Sequence, residues 1–365
     1  MSATRVRFMH LKPAEDGAAV DAAIRRVVDR GWYILGPELE AFEHAFAAAT
    51  GASHAVGVGT GTDAIAIILR ALGLGAGDEV ITTPVSAAYT ALACMMVGAR
   101  PVFADLDPDR LTIDPNAIGA AITSRTRAIL PVPLYGQPAD MPAIMAIADR
   151  HRLAVVEDCC QAHLARCAGR PVGSFGIAAA YSFYPTKNLG ALGDGGAITT
   201  NNPDLAARMK RLRNGGQTDR YHHGEMGVNS RLDEMQAAIL LERLPFLQGW
   251  TGARRAKAAQ YRRLLDGIST IEVPPLCDPG HVHHLFPVLS PHRESLQAFL
   301  TEAGIETLIH YPVPIPRQPA LEHERPATCP VADRVCARVF SLPLYPAILD
   351  DHLTIVAEAL RRFTP

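Results

Sequence analysis

The chain has 365 residues, 48% of them apolar and 20% charged, and its 35 Lys plus Arg against 37 Asp plus Glu leave a formal charge of −2. Single hydrophobic cores stop growing near roughly 250–300 residues, so two domains are expected. The charge balance excludes a basic face for nucleic acid and a polybasic arm for a membrane, and no run of about 18 uninterrupted apolar residues offers a membrane span. The opening residues MSATRVRFMHLKPAED lack the apolar core of a secretion signal. Seven cysteines without a paired framework, with Cys159 and Cys160 adjacent, suit a reducing compartment, so a cytoplasmic protein is expected.

Short apolar runs alternate with amphipathic stretches. HAVGVGT (54–60) predicts a strand and GTDAIAIILRALGL (61–74) a helix. DEVITTP (78–84) predicts a strand, VSAAYTALACMMVG (85–98) a helix, and RPVFADLD (100–107) and RAILPVPLYG (127–136) two further strands. MPAIMAIADRHR (141–152) predicts a helix and LAVVEDC (153–159) a strand. AAAYSFYPT (178–186) and GGAITTN (195–201) complete the strands of this part. Continuous apolar strands alternating with helices predict an α/β unit, a mostly parallel sheet with helices on both faces.

The pattern changes near residue 240. A helical stretch over 231–264, interrupted by Pro245, leads to TIEVPP and HLFPVLS, then a helix at 293–303. A proline-rich loop, HYPVPIPRQP (310–319), holds His310 and Tyr311 in a rigid setting, and a helix at 350–362 closes the chain. The expected division is a large domain at 1–240 and a smaller C-terminal α+β domain at 241–365.

Three strand ends carry candidate chemistry. In SFYPTKNLGALGDGGA (182–197) Pro185 turns the chain, Lys187 follows, and glycines stand at 190, 193, 195 and 196. Such glycines admit backbone close to a bulky ligand, and a desolvated lysine at a strand end can form a Schiff base. On composition alone a surface lysine in a turn is as good a reading. In LAVVEDCCQAH (153–163) a buried run delivers Glu157 and Asp158, where a carboxylate can pair with a protonated pyridine nitrogen, and Gln161 follows one turn on. Helix N-capping by Asp158 is the plain alternative. A metal site over Glu157, Asp158, Cys159, Cys160 and His163 fails on spacing.

In VGVGTGTDA (56–64) a strand opens into a helix through Gly59, Thr60, Gly61 and Thr62. Free amides at a helix start bind phosphate, though an empty tight turn is equally compatible. The dinucleotide fingerprint fails because position 62 is Thr, and no Gly-Lys-Ser/Thr follows for a nucleotide triphosphate. The site suits one phosphate. Together the three strand ends supply a phosphate cradle, a ring-nitrogen carboxylate and an amine nucleophile.

At these residues the chain resembles the DegT/DnrJ/EryC1/StrS sugar aminotransferases, a branch of the fold-type I pyridoxal-phosphate enzymes. The resemblance runs nearly end to end, through WYILGPELEAFE (32–43), GTGTDAI (59–65), VVEDCCQAH (155–163), SFYPTKNLGALGDGGA (182–197), LRNGGQ (212–217), YHHGEMGVNSRLDEMQAAIL (221–240) and IHYPVP (309–314). It implies a three-layer α/β/α large domain with a mixed, mostly parallel sheet. It implies pyridoxal 5′-phosphate as cofactor, with Lys187 as the Schiff-base lysine and proton carrier. Asp158 becomes the pyridinium partner and Gln161 the ring-oxygen contact. The Gly61 and Thr62 amides, with the Thr62 and Ser182 hydroxyls, hold the phosphate. Asn229 becomes the phosphate contact given by a neighbouring subunit, making an obligate homodimer. Arg231, His310 and Tyr311 fall on the substrate side. L-Glutamate is the implied donor, and a nucleotide-linked keto-sugar the acceptor.

Three residues depart from the family pattern. The aromatic expected four residues after Pro84 is Ala88, Tyr89 follows, and the segment up to Gly98 is one residue shorter; Tyr89 is the candidate to stack on the cofactor ring. Pro316 replaces a frequent histidine, and Leu164 replaces the glycine of QAHGA. Lys187 separates the chain from histidine-bearing dehydratase relatives. The YHH…NSRLD segment resembles enzymes acting at C3 of a dTDP-3-keto-6-deoxysugar more than those acting at C4. A sugar dehydratase on the same scaffold and a cofactor-binding regulatory protein without turnover are the competing expectations.

Overall fold

The computed structural model describes residues 6–12, 14–321 and 328–365. Residues 1–5 of the segment read for a secretion signal, and the corresponding start of the expected first domain, lie outside the described residues. Two helices open the chain, α1 (Gly17–Arg30) and α2 (Pro37–Thr50). Alternation follows through β1 (His54–Val58), α3 (Gly61–Ala71), β2 (Glu79–Thr82), α4 (Tyr89–Met96), β3 (Arg100–Phe103), α5 (Pro115–Ala121), β4 (Thr126–Leu130), α6 (Met141–His151) and β5 (Ala154–Asp158). Next come β6 (Ala178–Ser182), β7 (Gly196–Thr200), α7 (Pro203–Leu212), α8 (Glu234–Arg243) and α9 (Leu247–Leu264). The chain ends with β8 (Phe286–Leu289), α10 (Arg293–Glu302), α11 (Pro330–Arg338), β9 (Val339–Leu342) and α12 (Asp350–Arg362).

The first seven strands form one sheet in the order β1-β7-β6-β5-β4-β2-β3. From β6 to β3 neighbours run parallel, and β7 runs antiparallel to both of its neighbours. Side chains alternate across a strand, and here they feed two separate cores. Ala55, Ile81, Ile129, Val155, Ala179 and Tyr181 face a layer built from α2, α5, α6 and α8, including Phe42, Phe46, Ile144 and Leu240. Val56, Val58, Val80, Leu130, Val156 and Ala180 face α3, α4 and α7, including Ile68, Cys94 and Met209. The expected three-layer α/β/α architecture with a mixed, mostly parallel sheet is present. Fully burying one Leu, Ile or Phe stabilises by about 1.5–3 kcal/mol, so these two clusters dominate the packing energy.

A further cluster joins α9, α10 and α12 to the antiparallel pair β8–β9, with Tyr261, Phe286, Leu300, Phe340 and Leu360 buried in it. Val6 enters that cluster and bridges to Ile305, so the start of the described chain packs on its end. Several expected boundaries shift for physical reasons. The strand expected over 127–136 stops at Leu130 because Pro131 and Pro133 withdraw donors from the ladder. The helix expected from residue 85 begins at Tyr89, after an irregular turn over 85–88 held by Ser86 and Thr90 hydroxyls 3.1 Å apart. Pro245 divides the stretch over 231–264 into α8 and α9 through a short 3-10 turn.

Candidate active site

β1, β2, β5 and β6 end at the same edge of the sheet, where open α/β sheets bind ligands. Gly196 of β7 pairs with Val58 on one side and Ser182 on the other, which brings the ends of β1 and β6 together across one strand. A Cβ on Gly196 would meet the Thr60 carbonyl carbon at 2.5 Å, so only glycine admits this approach. α3 then opens beside Ser182. Thr60 caps it by accepting from the Asp63 amide at 3.0 Å. The amides of Gly61 and Thr62 are the first two of the helix, which the helix itself cannot satisfy, and they carry the positive end of its dipole. A Cβ on Gly61 would lie 2.7 Å from Cys160 Sγ and 2.8 Å from Ser182 Cβ. This is a cradle of backbone donors walled by Ser182 and Cys160.

Strand alternation separates the two carboxylates of β5. Glu157 turns away and accepts three amides, from Gly173 at 2.7 Å, Phe175 at 2.7 Å and Gly176 at 2.8 Å. Burial raises its pKa, and those three amides oppose the shift. Asp158 faces the cradle. Its Oδ2 accepts from Thr90 Oγ1 at 2.7 Å and its Oδ1 from the Cys160 amide at 3.2 Å. The Cys160 bond is a local turn, and no helix follows for Asp158 to cap.

Lys187 is half-buried beside this carboxylate. Burial lowers its pKa, and Cys160 and Asp158 oppose the shift. The Cys160 thiol is itself pushed well above its ordinary range by burial, so Asp158 is the charge that counts. A lysine turned to the surface, the plain alternative, is not what the fold provides. Behind it, His284 Nδ1 meets Asn188 Oδ1 at 3.1 Å, and Asn188 Nδ2 donates to the Val282 carbonyl at 3.3 Å. These bonds fix the residue next to Lys187. His163 is buried among Phe46, Tyr181 and Phe183 with no hydrogen-bond partner among the described residues. Its pKa is pushed down to about 3, by burial first and by Lys187 second.

Gln161 ties the loop after β4 to the proline-rich loop at Tyr311. Its Oε1 accepts from the Tyr135 amide at 2.8 Å, and its Nε2 donates to the Tyr311 hydroxyl at 3.0 Å. The Tyr135 hydroxyl donates to the His310 carbonyl. Burial pushes Tyr311 up to about 12 and His310 down to about 4. The His310 ring stacks on Phe8 at 5.7 Å and meets Ser341 Oγ at 3.1 Å. Lys187, Asp158, Gln161, Gly61, Thr62, Ser182, His310 and Tyr311 therefore gather at one end of the sheet.

Three expected residues do not join them within this chain. Asn229 is exposed and bridges to Asn214, and Arg231 Nη1 donates to Asn214 Oδ1 at 2.9 Å. Among the described residues neither bonds to Lys187, Asp158 or Gln161. Tyr89 opens α4 with its side chain 63% exposed and no ring partner among the described residues. The side chain this helix sends to the site is the next one, Thr90. Sequence reasoning passed over Thr90, Cys160, Tyr135 and the Asn188–His284 pair. A small hydroxyl residue inside an alanine-rich helix gives no pattern to find, whereas Cys160 lay in plain view beside Asp158.

A profile of the DegT/DnrJ/EryC1/StrS aminotransferase family matches residues 15–361. The chain belongs to that family. It is 48% identical to a dTDP-3-amino-3,4,6-trideoxy-alpha-D-glucose transaminase of Streptomyces venezuelae, over 98% of this chain and 96% of that protein. It is 42% identical to a UDP-N-acetyl-3-dehydro-alpha-D-glucosamine 3-aminotransferase of Acidithiobacillus ferrooxidans, over 97% of this chain and 95% of that protein. The fold matches a crystal structure of S. venezuelae DesV with TM-score 0.95 at 48% identity, covering 98% of each chain. The family resemblance read from the motifs is thereby established, and the chain is a nucleotide-sugar aminotransferase. Among the described residues no helix is long and apolar enough to cross a membrane, and no three His, Cys, Asp or Glu side chains are grouped to hold a metal ion.

Proposed function

We propose that this aminotransferase moves an amino group from L-glutamate to a nucleotide-linked keto-sugar, a dTDP-3-keto-6-deoxyhexose, with pyridoxal 5′-phosphate as cofactor. The observation that carries the proposal is a half-buried lysine beside a buried carboxylate at one cradle of backbone donors. The residues present suit the cofactor. The cradle at Gly61, where a Cβ would collide with Cys160 and Ser182, accepts its phosphate. When bound, the cofactor supplies a reactive carbonyl carbon and a protonated pyridine that withdraws electrons.

The chain's own residues do the rest. Asp158, held by the Thr90 hydroxyl, keeps the ring nitrogen protonated. Gln161 is fixed at both ends of its amide and addresses the ring oxygen. Gly61, Thr62 and Ser182 hold the phosphate, and the partner subunit's Asn229 completes it. Tyr89 offers a free ring to the cofactor face. Lys187 Nζ, whose lowered pKa favours the neutral amine, takes the α-proton of the donor and returns a proton to the sugar carbon that receives nitrogen. Arg231, His310 and Tyr311 address the sugar.

The proposal includes a homodimer working in the cytoplasm, with a cofactor-binding unit at 1–240 and a smaller unit at 241–365. Trp32, Tyr33, Tyr184, Tyr221 and Met226 are exposed, as apolar side chains awaiting a partner surface would be. The two relatives named above both act on 3-amino or 3-dehydro sugars, which favours C3. The test is a panel of 3-keto and 4-keto nucleotide sugars supplied with glutamate and read by product mass. Amine product with matching 2-oxoglutarate from a 3-keto substrate is expected. Loss of water without amine transfer would reject the proposal in favour of a dehydratase.

A further inference from the structure

Lys187 also lines a cavity of ≈ 500 Å³ on the side of α9, together with Lys12, Asn188, Trp250, Arg254 and Tyr345. Its size falls within the roughly 300–1,000 Å³ of small-molecule sites. Arg254 is 5% exposed. Its Nη1 donates to three carbonyls, of His283 at 3.3 Å, His284 at 3.2 Å and Leu344 at 3.0 Å. No carboxylate pairs with it among the described residues. Arg213, the other arginine this deeply buried among the described residues, and the less buried Arg243 differ in this respect. Arg213 pairs with Glu43, and Arg243 with Asp16 at 2.7 Å. Burial alone pulls the pKa of Arg254 down to about 10.

A buried charge without a counter-charge is costly, and three carbonyl dipoles compensate only part of it. The Nη2 edge has no partner among the described residues, and it belongs to a side chain on the cavity wall. The acids of the cavity are already engaged. Glu15 accepts from Trp250 Nε1 at 2.6 Å, and Asp16 pairs with Arg243.

We propose that Arg254 is the receptor for a carboxylate of the amino donor, inside the cavity it shares with Lys187. The proposal rests on the transaminase function above and adds the donor's docking point to it. A guanidinium edge matches a carboxylate in shape and charge, and the pair strengthens where water is excluded. The position favours the donor over the diphosphate of a sugar nucleotide. Arg254 binds the carbonyl of His284, whose ring binds Asn188, the neighbour of Lys187. An amino acid carries its carboxylates a few bonds from the reacting nitrogen, whereas a diphosphate stands a whole sugar ring away.

Three measurements on the cofactor-loaded enzyme test this. R254K and R254Q should raise the KM for glutamate at least about thirtyfold, as loss of a buried charge-pair partner does, and leave the KM for the sugar nucleotide unchanged. Calorimetry with glutarate, an unreactive dicarboxylate, should show binding to the native enzyme and none to R254Q at the same concentrations. Phenylglyoxal labelling of the native enzyme, mapped by mass spectrometry, should be slowed at Arg254 by glutarate. A rise in the sugar-nucleotide KM instead, or a fall in melting temperature with both KM values unchanged, would overturn the proposal. So would labelling at Arg254 that a nucleoside diphosphate slows and glutarate does not. The labelling needs no variant to fold, and neither it nor the calorimetry needs turnover, so both stand apart from failure of the sugar assay.

Discussion

Replacing Thr90 by valine tests whether the hydroxyl on α4 holds Asp158 in its working state. The substitution keeps the branched shape and removes the bond from Thr90 Oγ1 to Asp158 Oδ2 at 2.7 Å, together with the longer contacts of that hydroxyl to Ser86 Oγ at 3.1 Å and the Ala87 carbonyl at 3.4 Å. Thr90 is 2% exposed and Asp158 5%, so water has little access to replace the lost donor. A hydrogen bond to a charged group is worth about 1.5–3 kcal/mol net. If that bond acts on the charged carboxylate facing the ring nitrogen, the donor half-reaction should slow by about 10- to 150-fold. T90S, which restores a donor without the methyl group, should recover most of the rate. The assay is single-turnover reaction with glutamate, followed by cofactor absorbance, with melting temperature as the control for folding. A T90V rate equal to the native rate, beside an inactive D158N, would refute the coupling.

Other outcomes follow from the same geometry. G61A places a Cβ against Cys160 and Ser182; overpacking of this kind costs about 1–3 kcal/mol, and equilibrium dialysis should show weaker pyridoxal-phosphate binding. Unchanged affinity would remove Gly61 from the cradle. Glu234 accepts the amides of Gly36, Glu38 and Leu39, each at 2.9 Å, and so caps α2 from the far segment that also carries Arg231. E234A orphans two buried donors and one half-buried donor, so urea unfolding should show a loss of about 3 kcal/mol or more. His163, His281, His283 and His284 are buried with pKa values lowered chiefly by burial, to about 3 for His163 and His283. The unfolded chain binds protons that the folded one refuses, so their stabilisation is complete above about pH 6.5 and is lost as pH falls toward 3. Four such imidazoles remove about 5 kcal/mol by about pH 5.5, and a melting temperature that stays flat from pH 7 to 5 would contradict the sign.

Much of the candidate site was legible because strand ends carry it. Gly61, Asp158, Ser182 and Lys187 follow apolar runs, and the sheet gathers those ends at one edge regardless of loop detail. The last helix was legible to the residue, 350–362, since its apolar spacing is strong and acids open it. Long-range partners were not legible. α11 went unpredicted because Asp105, distant in sequence, caps it by accepting from Val331 and Ala332. β9 went unpredicted because four residues have too little pattern until β8 pairs with them. The contact of Thr90 with Asp158, one residue beyond the exposed Tyr89, went unread because the onset of α4 is set by a turn over 85–88 that an alanine-rich run does not announce. Arg254 sat in the run TGARRAKAAQ, where nothing distinguishes a buried arginine from its exposed neighbours.

The most direct measurement is borohydride reduction of the yellow enzyme followed by peptide mapping. The pyridoxyl label should reside on the peptide carrying Lys187, and K187A should take none and transfer no amino group. A label on a different lysine, or a K187A enzyme that still converts glutamate to 2-oxoglutarate at the native rate, would contradict the role assigned to the half-buried amine beside Asp158.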